Sequence, residues 1–179
     1  MIGAAGVTDG AGSGGSGLPF TAVNRCGRPG YAADLQRHHL LPRQALHSPG
    51  LRRLWEAVGR ADVGFDDFRR NGMLLPARAT AVLRLGLPLH LGPHHHYNTL
   101  VIDRLGAIEA GWARHCGRDA EMARATALMR IALLQAALRR RILDTSKPLR
   151  FNRADPLGQG RDFTLLDRLA EQLWHASAL

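Results

Sequence analysis

Apolar residues at helical spacing constrain this chain most. Ala127, Ile131, Leu134, Leu138 and Ile142 return to one face every three or four residues, which predicts a helix over 120–143. Its end carries Arg139-Arg140-Arg141, where cations complement the negative end of the helix dipole. The same run reads equally well as a solvated helix end. A second stripe, Tyr97, Val101, Leu105, Ile108 and Trp112, predicts another long helix that begins at Gly92-Pro93. Two such helices must bury their stripes against each other or against a shared core, so the body is mostly helical.

Shorter pieces fill the rest. Residues 38–41 read as a brief extended segment closed by Pro42. Ser48-Pro49 starts a helix through Leu51, Leu54, Trp55 and Val58, and Gly59 stops it. Asn71-Gly72 is a tight-turn signal leading into Met73-Leu74-Leu75, which Pro76 closes. One short helix is expected over 77–85. Turn formers fill 145–161, and a last helix is expected from Thr164, docked by Leu166, Leu169, Leu173 and Trp174. Residues 1–19 are largely Gly, Ala and Ser and read as a flexible leader; 20–179 reads as a single domain.

Composition narrows the partners. The formal net charge is +9, and Lys147 is the only lysine among the 24 basic residues. Arginine forks match phosphate geometry, so a polyanion suits this surface. A GC-rich genome also favours arginine over lysine, but explains the net excess over acids less well. No apolar run approaches the ~20 residues of a membrane helix, and no secretory signal is expected. Cys26 and Cys116 form no C-x-x-C pair, which excludes a zinc ribbon and leaves reduced thiols of a cytosolic protein as the expectation.

Six of the nine histidines fall in two clusters, His38-His39 and His90 with His94-His95-His96. Imidazole is both the commonest metal ligand and a natural base near neutral pH. On a strand, neighbours point to opposite sides, so His38 and His39 share a site only where the strand bends or ends. His90 and His94 stand four apart, but Gly92-Pro93 breaks any helix between them. His90 therefore belongs to an extended end and His94 to the first turn of the following helix. Taken alone, His94 reads equally as a ligand or as a satisfied core residue. His95 and His96 should face away.

Taken together, Gln36-Arg37-His38-His39-Leu40-Leu41-Pro42, Phe65 through Asn71-Gly72-Met73-Leu74-Leu75-Pro76, and His90-Leu91-Gly92-Pro93-His94-His95-His96-Tyr97-Asn98 resemble the AHH family. This is a branch of the HNH/endonuclease VII superfamily, often found as toxin modules in bacteria. The resemblance spans 33–106 and leaves 107–179 as a helical extension. The alanine of the family name is Arg37 here. It implies an α+β, mostly helical fold with a small ββα-metal core, a hairpin followed by a helix, surrounded by helices. It also implies His38, His90 and His94 as ligands of one divalent ion, His39 as general base, and Asn71 as a brace that helps orient His39.

Phosphodiester hydrolysis fits these parts. By that pattern a neutral His39 would deprotonate water and the ion would act as Lewis acid; Arg37 and Arg43, which flank the histidine pair, read equally as grips on flanking phosphates or as surface arginines with no role. Imidazole ligands favour zinc or nickel, with manganese or magnesium still open. The expected substrate is nucleic acid, DNA before RNA. A toxin role would add an inhibitor (immunity) protein as partner and delivery into another cell. The competing reading is a non-catalytic, basic nucleic-acid-binding module with a closed structural metal site. A histidine-rich metal carrier is a third.

Overall fold

The computed structural model describes residues 17–91, 94–151 and 155–156. The leader over 1–16, the Gly92-Pro93 break and the helix expected from Thr164 lie outside these residues.

A 3₁₀ turn at Phe20–Ala22 precedes strand β1, Leu35–His39. Two further 3₁₀ turns, Arg43–His47 and Pro49–Leu51, lead into helix α1, Arg52–Val58. Short helices α2 (Arg60–Val63) and α3 (Phe68–Asn71) follow, then strand β2 (Gly72–Pro76), helix α4 (Ala79–Leu85), and the long helices α5 (His95–His115) and α6 (Ala120–Leu143). The architecture is mostly helical with one small antiparallel ribbon, as expected of an α+β ββα core.

The ribbon pairs Leu35 with Pro76 at one end and His39 with Gly72 at the other. It is not a tight hairpin, because residues 40–71 lie between the two strands and fold into helical turns. The Asn71-Gly72 pair is consequently no turn. Asn71 ends α3, and Gly72 begins β2 with an extended φ of −118°. Glycine is required there for space: a Cβ on Gly72 would stand 2.2 Å from the Phe68 ring. Gly59 stops α1 as expected, with φ at +77°. Ser48, expected to cap that helix, makes no side-chain cap bond, and its first turns are 3₁₀ instead.

The core lies where α1, α5 and α6 meet the ribbon. Leu40, Leu41, Leu54, Val58, Phe65, Leu75, Val101, Leu105, Ile131 and Ile142 are fully or almost fully buried. Each large apolar side chain so buried contributes roughly 1.5–3 kcal/mol. The expected stripe of α6 is inward except that Gln135 is buried beside the half-buried Leu134. At its start, Asp119 accepts the Met122 amide hydrogen and caps the helix.

Residues 17–19, read from composition as the end of the leader, are attached to the body. Asp67 accepts the Leu18 amide hydrogen at 3.0 Å, and the Phe68 amide donates to the Leu18 carbonyl at 2.6 Å. These bonds set Phe20 against the ribbon.

Candidate active site

Alternation along β1 sorts its side chains into two sets. Gln36 and His38 share one face; Arg37 and His39 share the other. The strand ends at His39, so both histidines still border one open cleft of about 280 Å³, together with Arg37, Pro42, Arg43, His90, His94 and Asn98. A second cavity of similar volume, lined by Trp112, Met122 and Arg130 among others, shares no residue with this cleft.

His38 is almost fully buried, and its ring meets four others: His90 at 5.0 Å, His94 at 5.8 Å, and Tyr97 and Phe151 at 5.1 Å between centroids. His90 arrives from the extended segment after α4, where its amide donates to the Pro76 carbonyl at the end of β2. His94 is the residue that caps α5, one position before the first helical residue, and its ring lies 4.6 Å from that of His90. One ring nitrogen from each of the three lies within 4.8 Å of the others. His95 and His96 are exposed.

Three observations test whether a metal ion fits. His38 Nε2 and His94 Nδ1 are buried without a hydrogen-bond partner, although buried polar atoms are nearly always satisfied. Imidazole–metal bonds of about 2 Å around a tetrahedral ion set nitrogens roughly 3.3 Å apart, so donors that lie within 4.8 Å of one another need close by about 1.5 Å at most. Burial, and then the neighbouring His90 and His94, holds His38 well below the usual imidazole pKa; burial lowers His90 to about 4. Burial also lowers His94, opposed by a hydrogen bond with the Phe151 backbone. Near neutral pH all three rings are therefore neutral and present lone pairs. The residues fit a divalent cation.

His39 has different neighbours. Its ring stacks face to face on Phe20, with centroids 3.7 Å apart and planes 4° off parallel, and Phe68 supports Phe20 edge-on. Burial lowers its pKa to about 4, as does the Arg43 charge, while Asp66 pulls the other way. Arg37 donates to the Phe20 carbonyl at 2.7 Å.

The backbone just past the histidine pair is clamped. Asn71 is fully buried; its Oδ1 accepts the Leu41 amide hydrogen at 2.7 Å, and its Nδ2 donates to the Phe65 carbonyl at 2.9 Å. Its own carbonyl accepts the Leu40 amide at 2.8 Å, and Gln135 Nε2 reaches Asn71 Oδ1 at 3.4 Å. The Tyr97 hydroxyl donates to the Leu40 carbonyl at 2.7 Å. These contacts hold the backbone at the exit of β1. The hydrogen bonds of the Asn71 side chain go to Leu41, Phe65 and Gln135, not to the His39 ring.

Several residues at the site escaped the sequence reading. Phe151, past the end of α6, packs its ring against His38, His94 and Tyr97 at 5.0–5.1 Å. Asp155, fully buried, accepts the Leu89 amide hydrogen next to His90. Phe20 and Gln135 likewise come from distant segments. Only Gln36 carried a local signal, its place two residues before His38 on a strand.

Comparison with models of known families matches residues 21–134 to one described as AHH, a nuclease family of the HNH/ENDO VII superfamily with conserved AHH. Comparisons with curated proteins and with solved structures return no match. Phe151 and Asp155 lie beyond the matched stretch.

Proposed function

The chain belongs to the AHH family of nucleases in the HNH/ENDO VII superfamily, and from that premise we propose that it is a metal-dependent endonuclease hydrolysing phosphodiester bonds, with DNA the favoured substrate. The observation that carries this reading is the convergence of His38, His90 and His94 around unpartnered buried nitrogens, beside a fourth histidine outside the group.

His38, His90 and His94 would hold the ion. Bound there, a divalent cation supplies Lewis-acid stabilisation of the charge that develops on the phosphate. His39 acts as general base: its low pKa leaves it neutral near pH 7, so its ring can take the proton of an attacking water. Asn71 keeps that ring aimed through the Leu40–Leu41 backbone. Arg37 and Arg43 border the cleft and grip phosphates on either side of the scissile bond. Neutral ligands leave the ion's full charge facing an anionic substrate. Zinc and nickel suit such a donor set best, with manganese and magnesium as the other candidates.

One observation favours catalysis over a structural metal site. Structural zinc is closed by four protein ligands, whereas catalytic sites keep a position open. Among the described residues only three donors converge, and they border an open cleft.

The test is cleavage of plasmid DNA and of RNA, side by side, in zinc, nickel, manganese or magnesium and in chelator. Metal-dependent cutting that chelator stops is the expected result, with DNA cut faster. Tight binding without cleavage in every metal would favour the binding module instead.

A further inference from the structure

We infer that Gln36 is a positioning residue of the histidine cluster: its carboxamide fixes which nitrogen of His90 carries the proton, and so which one faces His38 and His94. The inference rests on the metal-site reading above. It concerns a residue that neither the family match nor the ligand grouping assigns.

Gln36 lies two residues before His38 and therefore on the same face of β1. It pairs across the ribbon with Leu75, next to the end where Pro76 receives the His90 amide. This brings Gln36 Oε1 to 3.0 Å from His90 Nδ1. With its oxygen turned to the ring, as it stands, the carboxamide accepts, and the bond takes its hydrogen from Nδ1. A neutral imidazole carries one N–H, which leaves a lone pair on Nε2. In this orientation Gln36 favours one His90 tautomer and one ring orientation. The polar groups behind metal-bound histidines do this generally, and their loss weakens metal affinity about 10–100-fold. For His90 the anchor is a side chain, which substitution can remove alone.

Gln36 is exposed, so replacing it should leave the core intact. The test compares Gln36→Leu, which removes the acceptor, with Gln36→Glu, which keeps it. Nitrogen-15 NMR of the metal-free protein reads the His90 tautomer directly. The wild type and Gln36→Glu should show hydrogen on Nδ1; Gln36→Leu should lose that preference. Calorimetric titration with zinc should show Gln36→Leu binding about 10–100-fold more weakly and Gln36→Glu at least as tightly as the wild type. Two outcomes overturn the inference: unchanged tautomer and affinity in Gln36→Leu, or a Gln36→Glu variant that binds as poorly as Gln36→Leu. His94→Ala serves as the control. If that variant keeps full zinc affinity, the metal-site reading fails, while the tautomer spectrum still decides the role of Gln36.

Discussion

His38 and His39 are chemically identical neighbours, yet the two faces of β1 give them different surroundings. On the first face His38 meets His90, His94, Tyr97 and Phe151, with buried nitrogens unpartnered. On the other, His39 lies against Phe20 and near the charges of Arg43 and Asp66. One environment gathers lone pairs towards a common centre; the other isolates a single neutral ring at the edge of the same cleft. The comparison teaches that a residue's surroundings here follow from the side of the strand it occupies. On the proposed reading, those surroundings suit the two histidines to different roles.

The largest expected effect comes from the outer face. His39→Ala should lower the cleavage rate about 10²–10⁴-fold, measured under single-turnover conditions at saturating metal. A rate within a few-fold of wild type would remove His39 as the base.

The clamp common to both faces should show in stability. Asn71→Ala leaves the buried Leu41 amide and Phe65 carbonyl unpaired, at a cost of about 1–3 kcal/mol for each buried group so stranded. Denaturant unfolding measures this. Asn71→Asp should be worse than a neutral change of the same size, because its carboxylate would face the Phe65 carbonyl that the amide now serves. Equal stability of Asn71→Asp and wild type would contradict this network.

The two faces should respond together to acid when metal is absent. His39 and His90 have folded pKa values of about 4, below the ordinary 6.5. Above pH 6.5 folded and unfolded chains are both neutral at these rings, and stability is at its full value. As pH falls from 6.5 towards 4 the unfolded chain binds protons that the folded chain refuses, so stability falls. Below about 4 these two contributions level off. Melting temperature against pH should show this decline, and His39→Ala and His90→Ala should each make it shallower. A melting temperature constant across that window would contradict the burial of the two rings.

The smallest effect concerns the cleft rim. With His39→Ala as inactive background, binding to duplex DNA should weaken with salt, and losing one phosphate contact should reduce the log–log slope by about 0.9. Arg43→Gln should show this more fully than Arg37→Gln, because the Arg37 guanidinium is already engaged by the Phe20 carbonyl. A slope unchanged by either substitution would separate the rim from substrate binding.

How much was legible in the sequence depended on how far apart the partners stood. Helix α6 was read over its full length, and the inward face of α5 from Tyr97 to Ile108, because a 3.6-residue period is local information; past Ile108 the buried residue is Gly111, and the expected Trp112 is half-buried. That His90 and His94 come from two different elements was legible from the Gly-Pro pair between them in the sequence. By contrast, Asn71-Gly72 misled as a turn, since the space that excludes a Cβ at Gly72 belongs to Phe68 packing against it. The Phe20 stack on His39, the return of Phe151 and the Gln135 contact with Asn71 join segments that no local period connects. Their residue types are unremarkable one by one, and only packing reveals them.

The central claim is that the faces of β1 divide metal holding from proton transfer. Calorimetric zinc titration of the wild type, His38→Ala and His39→Ala, run in parallel, tests it most directly. One site is expected in the wild type, the same site at nearly unchanged affinity in His39→Ala, and its loss in His38→Ala. Loss of the site in His39→Ala with retention in His38→Ala would contradict the account.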